Sequence, residues 1–421
     1  MAKFLVQKSG PLNGEVTISG AKNAVLPLMA SALLAEEKCV LRDVPALRDV
    51  EVITEILKSL GSEVTQLEDS MIEIHTPEIK SNEADYDLVS KMRASFLVMG
   101  PLLARTGRAK VHAPGGCTIG ARPIDLHLKG FATLGAEIIV KDNYIEAIAP
   151  EGGLVGASVY LDFPSVGATE NIMSAAVLAK GTTYIENAAK EPEIVDQANF
   201  LNKMGARIKG AGTDTIKIEG VPGLKGAKHT VIPDRIEAAT FMLAAAITRG
   251  SIHICNALPE HLKPVIAKLR ECGVRIVAGD DDLIVRGDLG PQNHTDIKTL
   301  PYPGFPTDIQ SPFMAYLTTV NGSSVVIETV FENRFMHVSQ LSKMGASIET
   351  AGNKANIKGN AKLRGCSVMA TDLRAGAALV LAGLVAEGKT EISEIYHIER
   401  GYEKFIEKFE ALGAKITRVE D

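Results

Sequence analysis

Residues 57–64 read LKSLGSEV, and the same phrase returns five times: FATLGAEI at 131–138, LNKMGARI at 201–208, LRECGVRI at 269–276, LSKMGASI at 341–348 and FEALGAKI at 409–416. In each, a helix ends on a glycine able to adopt the left-handed conformation, and a strand begins at once. The glycines Gly61, Gly135, Gly205, Gly273, Gly345 and Gly413 follow one another at intervals of 68 to 74 residues. One supersecondary unit of about seventy residues, used six times, accounts for this pattern.

A second helix precedes the phrase in every unit: NAVLPLMASALLAEE, ASFLVMGPLLARTG, ATENIMSAAVLAKG, AATFMLAAAITRG, IQSPFMAYLTTVNG and AGAALVLAGLVAEG. These six are apolar nearly all round, so they are expected inside the fold with sheets packed outside them. Six units divide as three and three, with Val231-Ile232-Pro233 as the boundary and Pro233-Asp234 turning into the next helix. The strand in KFLVQKSG, near the N-terminus, stands outside the six units and is expected to complete the last one. The expected domains are therefore residues 22–232, and residues 1–21 together with 233–421. A substrate cleft is favoured where two such domains face each other.

The repeat also locates polar residues. Fourteen positions before Gly107, Gly181, Gly322 and Gly388 stand Arg93, Gly167, Asp308 and Arg374; Lys22 and Asn23 hold the corresponding place in the first unit, and Arg235 nearly so in the fourth. A single charged residue at a helix start is an ordinary capping feature. Several cations there oppose the helix dipole and gain only if an anion lies among them, which implies a strongly anionic ligand.

One loop stands apart. Residues 110–127 read KVHAPGGCTIGARPIDLH, with Cys117 between a double glycine and Arg122-Pro123. The glycines permit close backbone approach to a ligand, and the nearby guanidinium favours thiolate while burial favours thiol, so Cys117 can serve as nucleophile or proton donor. Cys39, Cys255, Cys272 and Cys366, flanked by apolar or small residues, read instead as small buried hydrophobes.

Composition excludes other classes. Lys and Arg total 45 against 51 Asp and Glu, a net charge of −6 with no basic tract, and 5% aromatic content without Trp gives no stacking platform for bases. Nucleic acid is thus disfavoured. Apolar runs such as Ala377 to Ala386 are too short to span a bilayer, and the start lacks a signal-peptide pattern, so a cytoplasmic location is expected. Five cysteines without CxxC spacing argue against a disulfide framework and a structural zinc site. Gly383 to Thr390, GLVAEGKT, matches a phosphate-binding loop, but an apolar helix precedes it and a strand follows, the reverse of what that loop requires.

The segments SGAKNAVLP, MRASF, PGGCTIGARPIDLH, FPTDIQ, TVFENRFMH, TDLRAG and YHIERGYE, spread over the whole chain, resemble those of the UDP-N-acetylglucosamine 1-carboxyvinyltransferases. The resemblance implies an α/β fold, the two-domain inside-out α/β barrel with three β-α-β-α-β-β units per domain. It implies transfer of the enolpyruvyl group of phosphoenolpyruvate to the 3-hydroxyl of UDP-N-acetylglucosamine by addition and elimination, with release of phosphate, in peptidoglycan synthesis. No metal or organic cofactor is implied, and the partners are the two substrates.

Carried over onto this sequence, the family's proton donor is Cys117, also the target of epoxide antibiotics of the fosfomycin type, and its candidate base for the sugar hydroxyl is Asp308. Lys22, Asn23, Arg122, Asp372, Arg374 and Arg400 match residues that hold phosphoenolpyruvate, with Lys22 and Arg400 counted among the catalytic set. Arg93, Arg122, Pro123, Ile124, Asp125, Leu126, Ser165, Val166, Gly167, Asp308 and Val330 match the UDP-sugar site. Where relatives carry lysine-valine, this chain has Phe163-Pro164, which removes a basic contact to the diphosphate; Asn171 is expected to compensate in part. Glu191 to Glu193 read as a helix cap with Pro192 at the first helical position. The alternatives are a shikimate-pathway enolpyruvyl transferase, which is not expected to carry the PGGC loop or the RPIDLH run, and a catalytically silent UDP-sugar-binding paralogue.

Overall fold

Every one of the six phrase glycines takes a positive φ, between 92° at Gly273 and 111° at Gly61, and each closes a helix just before a strand. The structure is a computed structural model that describes residues 2–84, 86–89, 92–112 and 124–420. It divides into two compact units, one built from residues 20–232 and the other from residues 2–19 and 233–420, within the described residues.

Each unit holds three four-stranded sheets of one pattern: a parallel pair followed by two antiparallel neighbours. In the unit of residues 20–232, Lys228–Thr230 lies parallel to Cys39–Arg42, which pairs antiparallel with Met71–His75, itself antiparallel to Glu63–Glu68. Arg108–His112 and Thr182–Glu186 begin the corresponding ladders of the other two sheets. In the second unit, the same places are taken by Ser251–Cys255, Ser323–Ile327 and Lys389–Ser393.

Two strands do not follow the order of the chain. Asn13–Thr17, which immediately precedes the first inner helix, lies parallel to Ser251–Cys255 in the second unit. Conversely, Lys228–Thr230, which precedes the helix Arg235–Thr248, belongs to the first sheet of the other unit. The strand Lys3–Gln7 inserts between Lys389–Ser393 and Lys415–Val419, antiparallel to both, and so completes the last repeat.

Helices line the inside of each unit and sheets its outside. Along Arg235–Thr248 every residue from Ile236 to Thr248 is buried, and Leu373–Gly383 is buried from Arg374 onward. The strands alternate instead, as in Ser251–Cys255, whose Ile252 and Ile254 face the core while Ser251, His253 and Cys255 face outward. That alternation corrects the reading of two cysteines: Cys39 and Cys272 are buried, but Cys255 and Cys366 are only half-buried. Apolar flanks placed Cys255 on a strand and did not reveal which face it would take.

Close packing of the inner helices has a specific signature at Gly100, where an added Cβ would lie 2.2 Å from the Asn171 carbonyl oxygen. Polar contacts also tie them together. Gln197 Nε2 donates to Ser31 Oγ at 3.0 Å and Ser174 Oγ at 2.9 Å, linking the helices Pro192–Lys203, Lys22–Ser31 and Val166–Ala176 through an otherwise apolar core. Gly388 ends the turn between the helix Leu373–Gly383 and the strand Lys389–Ser393, so the GLVAEGKT match is a helix-to-strand connection.

Candidate active site

The repeat-equivalent residues do stand at helix starts. Lys22 opens Lys22–Ser31, Arg93 opens the 3-10 turn Arg93–Val98, Gly167 is second in Val166–Ala176, Arg235 opens Arg235–Thr248, Asp308 is second in Thr307–Leu317 and Arg374 second in Leu373–Gly383. The protein itself supplies anions beside two of these cations. Lys22 Nζ lies 2.7 Å from Asp49 Oδ2, a carboxylate only 3% exposed on the helix Arg48–Leu60, and Arg374 pairs with Asp308. The inference from dipole opposition to a bound anion is therefore weaker at Lys22 and Arg374 than the sequence suggested.

In the unit of residues 20–232, Asn23 is exposed beside Lys22, and Asp125 and Leu126 open the helix Asp125–Thr133, whose N-cap is Ile124. Ser165 caps its own helix, with Oγ accepting from the Ala168 amide at 3.3 Å, and Val166 and Gly167 are half-buried beyond it. His127 is the residue that sequence reasoning missed here. An added Cβ at Gly167 would lie 3.3 Å from its Cε1, and burial, aided by the Arg93 charge, pushes its pKa down to about 3. The imidazole is therefore neutral at physiological pH, and its Nδ1 accepts from Asn171 Nδ2 at 3.1 Å.

Asn171 has no capacity left for a diphosphate. Its Nδ2 also donates to the Phe96 carbonyl at 2.9 Å, its Oδ1 accepts from the Gly100 amide at 2.6 Å, and the residue is 1% exposed. The expected compensation for Phe163-Pro164 is overturned, because the position lies inside the helix packing; Phe163 itself is exposed. Glu191 is the N-cap of Pro192–Lys203 with Pro192 at its start, as the EPE run suggested. Cys117, Arg122 and Pro123 lie outside the described residues.

In the second unit, Asp308 is held between two guanidiniums. Arg334 Nη2 donates to Oδ1 at 2.9 Å, and Arg374 donates to Oδ2 from Nε at 3.3 Å and from Nη2 at 3.2 Å. The arginine side chains are 3% and 4% exposed, while Asp308 retains 26%. Burial opposes the Arg374 charge, but Tyr402, Asp308 and Asp234 more than offset it and hold the guanidinium above its ordinary pKa. Arg374 also stacks over the Tyr402 ring at 5.3 Å, and the Tyr402 hydroxyl meets Thr240 Oγ1 at 2.9 Å.

A buried carboxylate organises the neighbourhood. Glu328 accepts from the Val330 amide at 2.8 Å, from Thr299 Oγ1 at 2.8 Å and from Thr307 Oγ1 at 2.9 Å, so it fixes both Val330 and the residue preceding Asp308. His337 is buried with its pKa pushed down to about 4 by desolvation, partly countered by Asp372 and reinforced by Arg334. Asp372 is an N-cap, its Oδ1 accepting from the Arg374 and Ala375 amides at 2.9 and 3.1 Å. Arg400 is half-buried at the end of the short helix Tyr396–Glu399. Arg334 and His337 both lie in TVFENRFMH; their depth, which a sequence does not display, is what marks them.

Three curated relatives match essentially the full chain. UDP-N-acetylglucosamine 1-carboxyvinyltransferase 1 of Caldanaerobacter subterraneus subsp. tengcongensis is 62% identical over 99% of both chains. The UDP-N-acetylglucosamine 1-carboxyvinyltransferase of Finegoldia magna is 58% identical over 100% of this chain and 99% of its own. This chain belongs to the UDP-N-acetylglucosamine 1-carboxyvinyltransferases. A third member of that family, the enzyme 2 of Carboxydothermus hydrogenoformans, is 60% identical over 100% of each chain. The broader family described as EPSP synthase (3-phosphoshikimate 1-carboxyvinyltransferase) matches residues 6–409. Among solved structures, the enolpyruvyl transferase NikO from Streptomyces tendae superposes with a TM-score of 0.89 at 23% identity, covering 99% of this chain and 98% of its own. EPSP synthase from Acinetobacter baumannii superposes with a TM-score of 0.78 at 17% identity, each chain covered in full. These two likenesses establish the enolpyruvyl transferase fold, with inner helices and outer sheets in two halves.

Proposed function

We infer that the chain is a transferase that moves the enolpyruvyl group of phosphoenolpyruvate to the 3-hydroxyl of UDP-N-acetylglucosamine and releases phosphate, acting in the cytoplasm in peptidoglycan synthesis. The observation that carries this reading is full-length identity of 58–62% to relatives bearing that name. The chemistry follows from the substrates. Protonation of the methylene carbon of phosphoenolpyruvate leaves an oxocarbenium-like centre at its neighbour, the sugar oxygen adds there as its proton leaves, and loss of phosphate with a methyl proton restores the double bond.

Within this reading, Cys117 delivers the first proton and is the atom alkylated by epoxide antibiotics of the fosfomycin type. Asp308 accepts the proton of the sugar hydroxyl. To do so it must give up part of its hold on a guanidinium, and the phosphate and carboxylate of phosphoenolpyruvate are the anions that would draw Arg374 away. Lys22, Asn23, Arg122 and Arg400 complete the cradle for phosphoenolpyruvate, with Asp372 setting the start of the Arg374 helix. Arg93, the run Arg122 to Leu126, Ser165 to Gly167 and Val330 bind the UDP-sugar, with neutral His127 backing Gly167. Fixed donors of this kind orient developing charge without reorganisation.

A phosphate-release assay run with phosphoenolpyruvate and each acceptor in turn tests the reading. UDP-N-acetylglucosamine should support turnover and shikimate 3-phosphate should not. Preference for the latter would replace the substrate assignment, and tight UDP-sugar binding without turnover with either acceptor would make the chain a silent paralogue.

A further inference from the structure

On the outer face of the second unit's first sheet, Glu15, His253 and Cys255, none of them assigned a role above, bring a carboxylate, an imidazole and a thiol to within 4.8 Å of one another. Strand register makes this a built cluster. His253 sits directly across from Glu15 on the parallel neighbour, Cys255 is two residues further along the same outward face, and Asp282 lies directly across from Cys255 on the antiparallel neighbour.

The edges measured at His253 Nδ1 suit a metal ion. Tetrahedral Zn²⁺, with bonds of about 2.3 Å to sulfur and about 2.1 Å to nitrogen and oxygen, sets a sulfur–nitrogen edge of about 3.6 Å and a nitrogen–oxygen edge of about 3.4 Å. Cys255 Sγ stands 3.7 Å from His253 Nδ1, and Glu15 Oε2 stands 3.2 Å from the same nitrogen. Sγ is also 3.6 Å from Nε2, so it lies beside the ring, and a metal in line with the Nδ1 lone pair requires the half-buried thiol to turn away from the ring. The second ring nitrogen, Nε2, lies 2.7 Å from Asp282 Oδ2. A carboxylate on the far nitrogen is the arrangement that fixes the tautomer and orientation of a metal-binding histidine. A plain surface ion-pair ladder would need Glu15, His253 and Asp282, but has no use for the thiol.

We propose that Glu15, His253 and Cys255 form a binding site for a borderline divalent cation such as Zn²⁺, with Asp282 orienting the histidine, which straps the strand Asn13–Thr17 onto Ser251–Cys255. Binding converts the Cys255 thiol to a metal thiolate, and the displaced proton goes to solvent. Three protein ligands leave the fourth position to water. The strap joins residues 238 apart in sequence, since Ser251 pairs with Asn13. The absence of CxxC spacing does not bear on it, because its ligands come from two strands brought together only by the fold.

The test uses the full-length, metal-free protein. After one equivalent of zinc and gel filtration, wild type should retain one zinc per chain, and Co²⁺ in its place should show a thiolate-to-cobalt charge-transfer band. Cys255→Ser should abolish the band, His253→Gln should abolish zinc retention, and Asp282→Asn should keep the band while weakening zinc affinity about 10- to 100-fold. Zinc at a hundred times its Kd should slow hydrogen exchange of residues 13–17 about a hundredfold in wild type and not in Cys255→Ser. Loss of zinc from wild type on gel filtration, or a band that survives Cys255→Ser, would overturn the site. Retained zinc with unchanged exchange at residues 13–17 would overturn the strap.

Discussion

Asp308→Asn tests the second unit's site most directly, because it removes one charge and leaves the shape. In the native protein this carboxylate accepts three hydrogen bonds from two nearly buried guanidiniums. A hydrogen bond to a charged group contributes about 1.5–3 kcal/mol, and stripping the partner from a buried ion pair costs about 3–5 kcal/mol. The Asn amide oxygen keeps one acceptor, and Asp308 is a quarter exposed, so a loss of about 2–4 kcal/mol in the stability of this unit is expected. Hydrogen exchange of the helix Thr307–Leu317 across a urea series reads that loss locally. Inorganic phosphate should restore part of it, since an anion bound beside the two guanidiniums replaces the lost charge, and the rescue should be greater in the variant than in wild type. Turnover should fall about 10²- to 10⁴-fold if Asp308 is the base. Equal exchange in the two proteins, with no phosphate effect, would refute the electrostatic account; turnover within about threefold of wild type would refute the base.

Cys117→Asp should keep measurable turnover and resist epoxide alkylation, whereas Cys117→Ser should lose most turnover, because a carboxylic acid can be tuned toward the working pH and a hydroxyl cannot; similar rates in both variants would remove Cys117 as proton donor. Glu237 is fully buried, and desolvation pushes its pKa up to about 7 despite Lys408 Nζ at 2.6 Å and the Ser19 amide at 2.8 Å. The native state therefore keeps a proton that the unfolded chain releases near pH 4.5, so stability should decline as pH rises from about 4.5 to about 7, by at most about 3 kcal/mol, and level off above. Glu237→Gln should flatten that slope in urea midpoints taken from pH 5 to 8; an identical slope would assign it to other groups. Gly100→Ala must push a Cβ against the Asn171 backbone at 2.2 Å, which should cost about 1–3 kcal/mol and shift the Asn171–His127 contact, visible as a lower melting temperature and a raised KM for the UDP-sugar; an unchanged melting temperature would show that the helices yield freely.

The fold was legible because its signal is periodic. A helix that must stop and a strand that must start demand a residue free to take positive φ, and six glycines at nearly equal spacing declare six such corners before any pairing is known. The helix starts at Lys22, Arg93, Gly167, Asp308 and Arg374 were readable for the same reason. Partners were not, because they depend on distant elements: Asp49 beside Lys22, Arg334 beside Asp308, and the Asn171 amide spent on Gly100, Phe96 and His127. Which face of a strand a side chain takes is similarly hidden where apolar residues flank it, as Cys255 demonstrates. Burial of His127 and His337 leaves no mark in the sequence around them.

In the last sheet, Lys3 faces Val419 and Gln7 faces Lys415, so two neighbouring strands run in opposite directions with their near ends together, a hairpin in everything but its loop. During synthesis the first of these strands leaves the ribosome long before either of its partners. Phe4, Leu5 and Val6 therefore wait, with an open edge, while the residues between Gln7 and Lys389 are made. A rearranged gene that carries residue 419 into residue 3 through a short loop, and starts anew between residues 18 and 20, would turn the strand pairing most distant in sequence into a local hairpin. Because the same contacts survive, the rearrangement should act on the speed of refolding and on losses to aggregation far more than on the final stability.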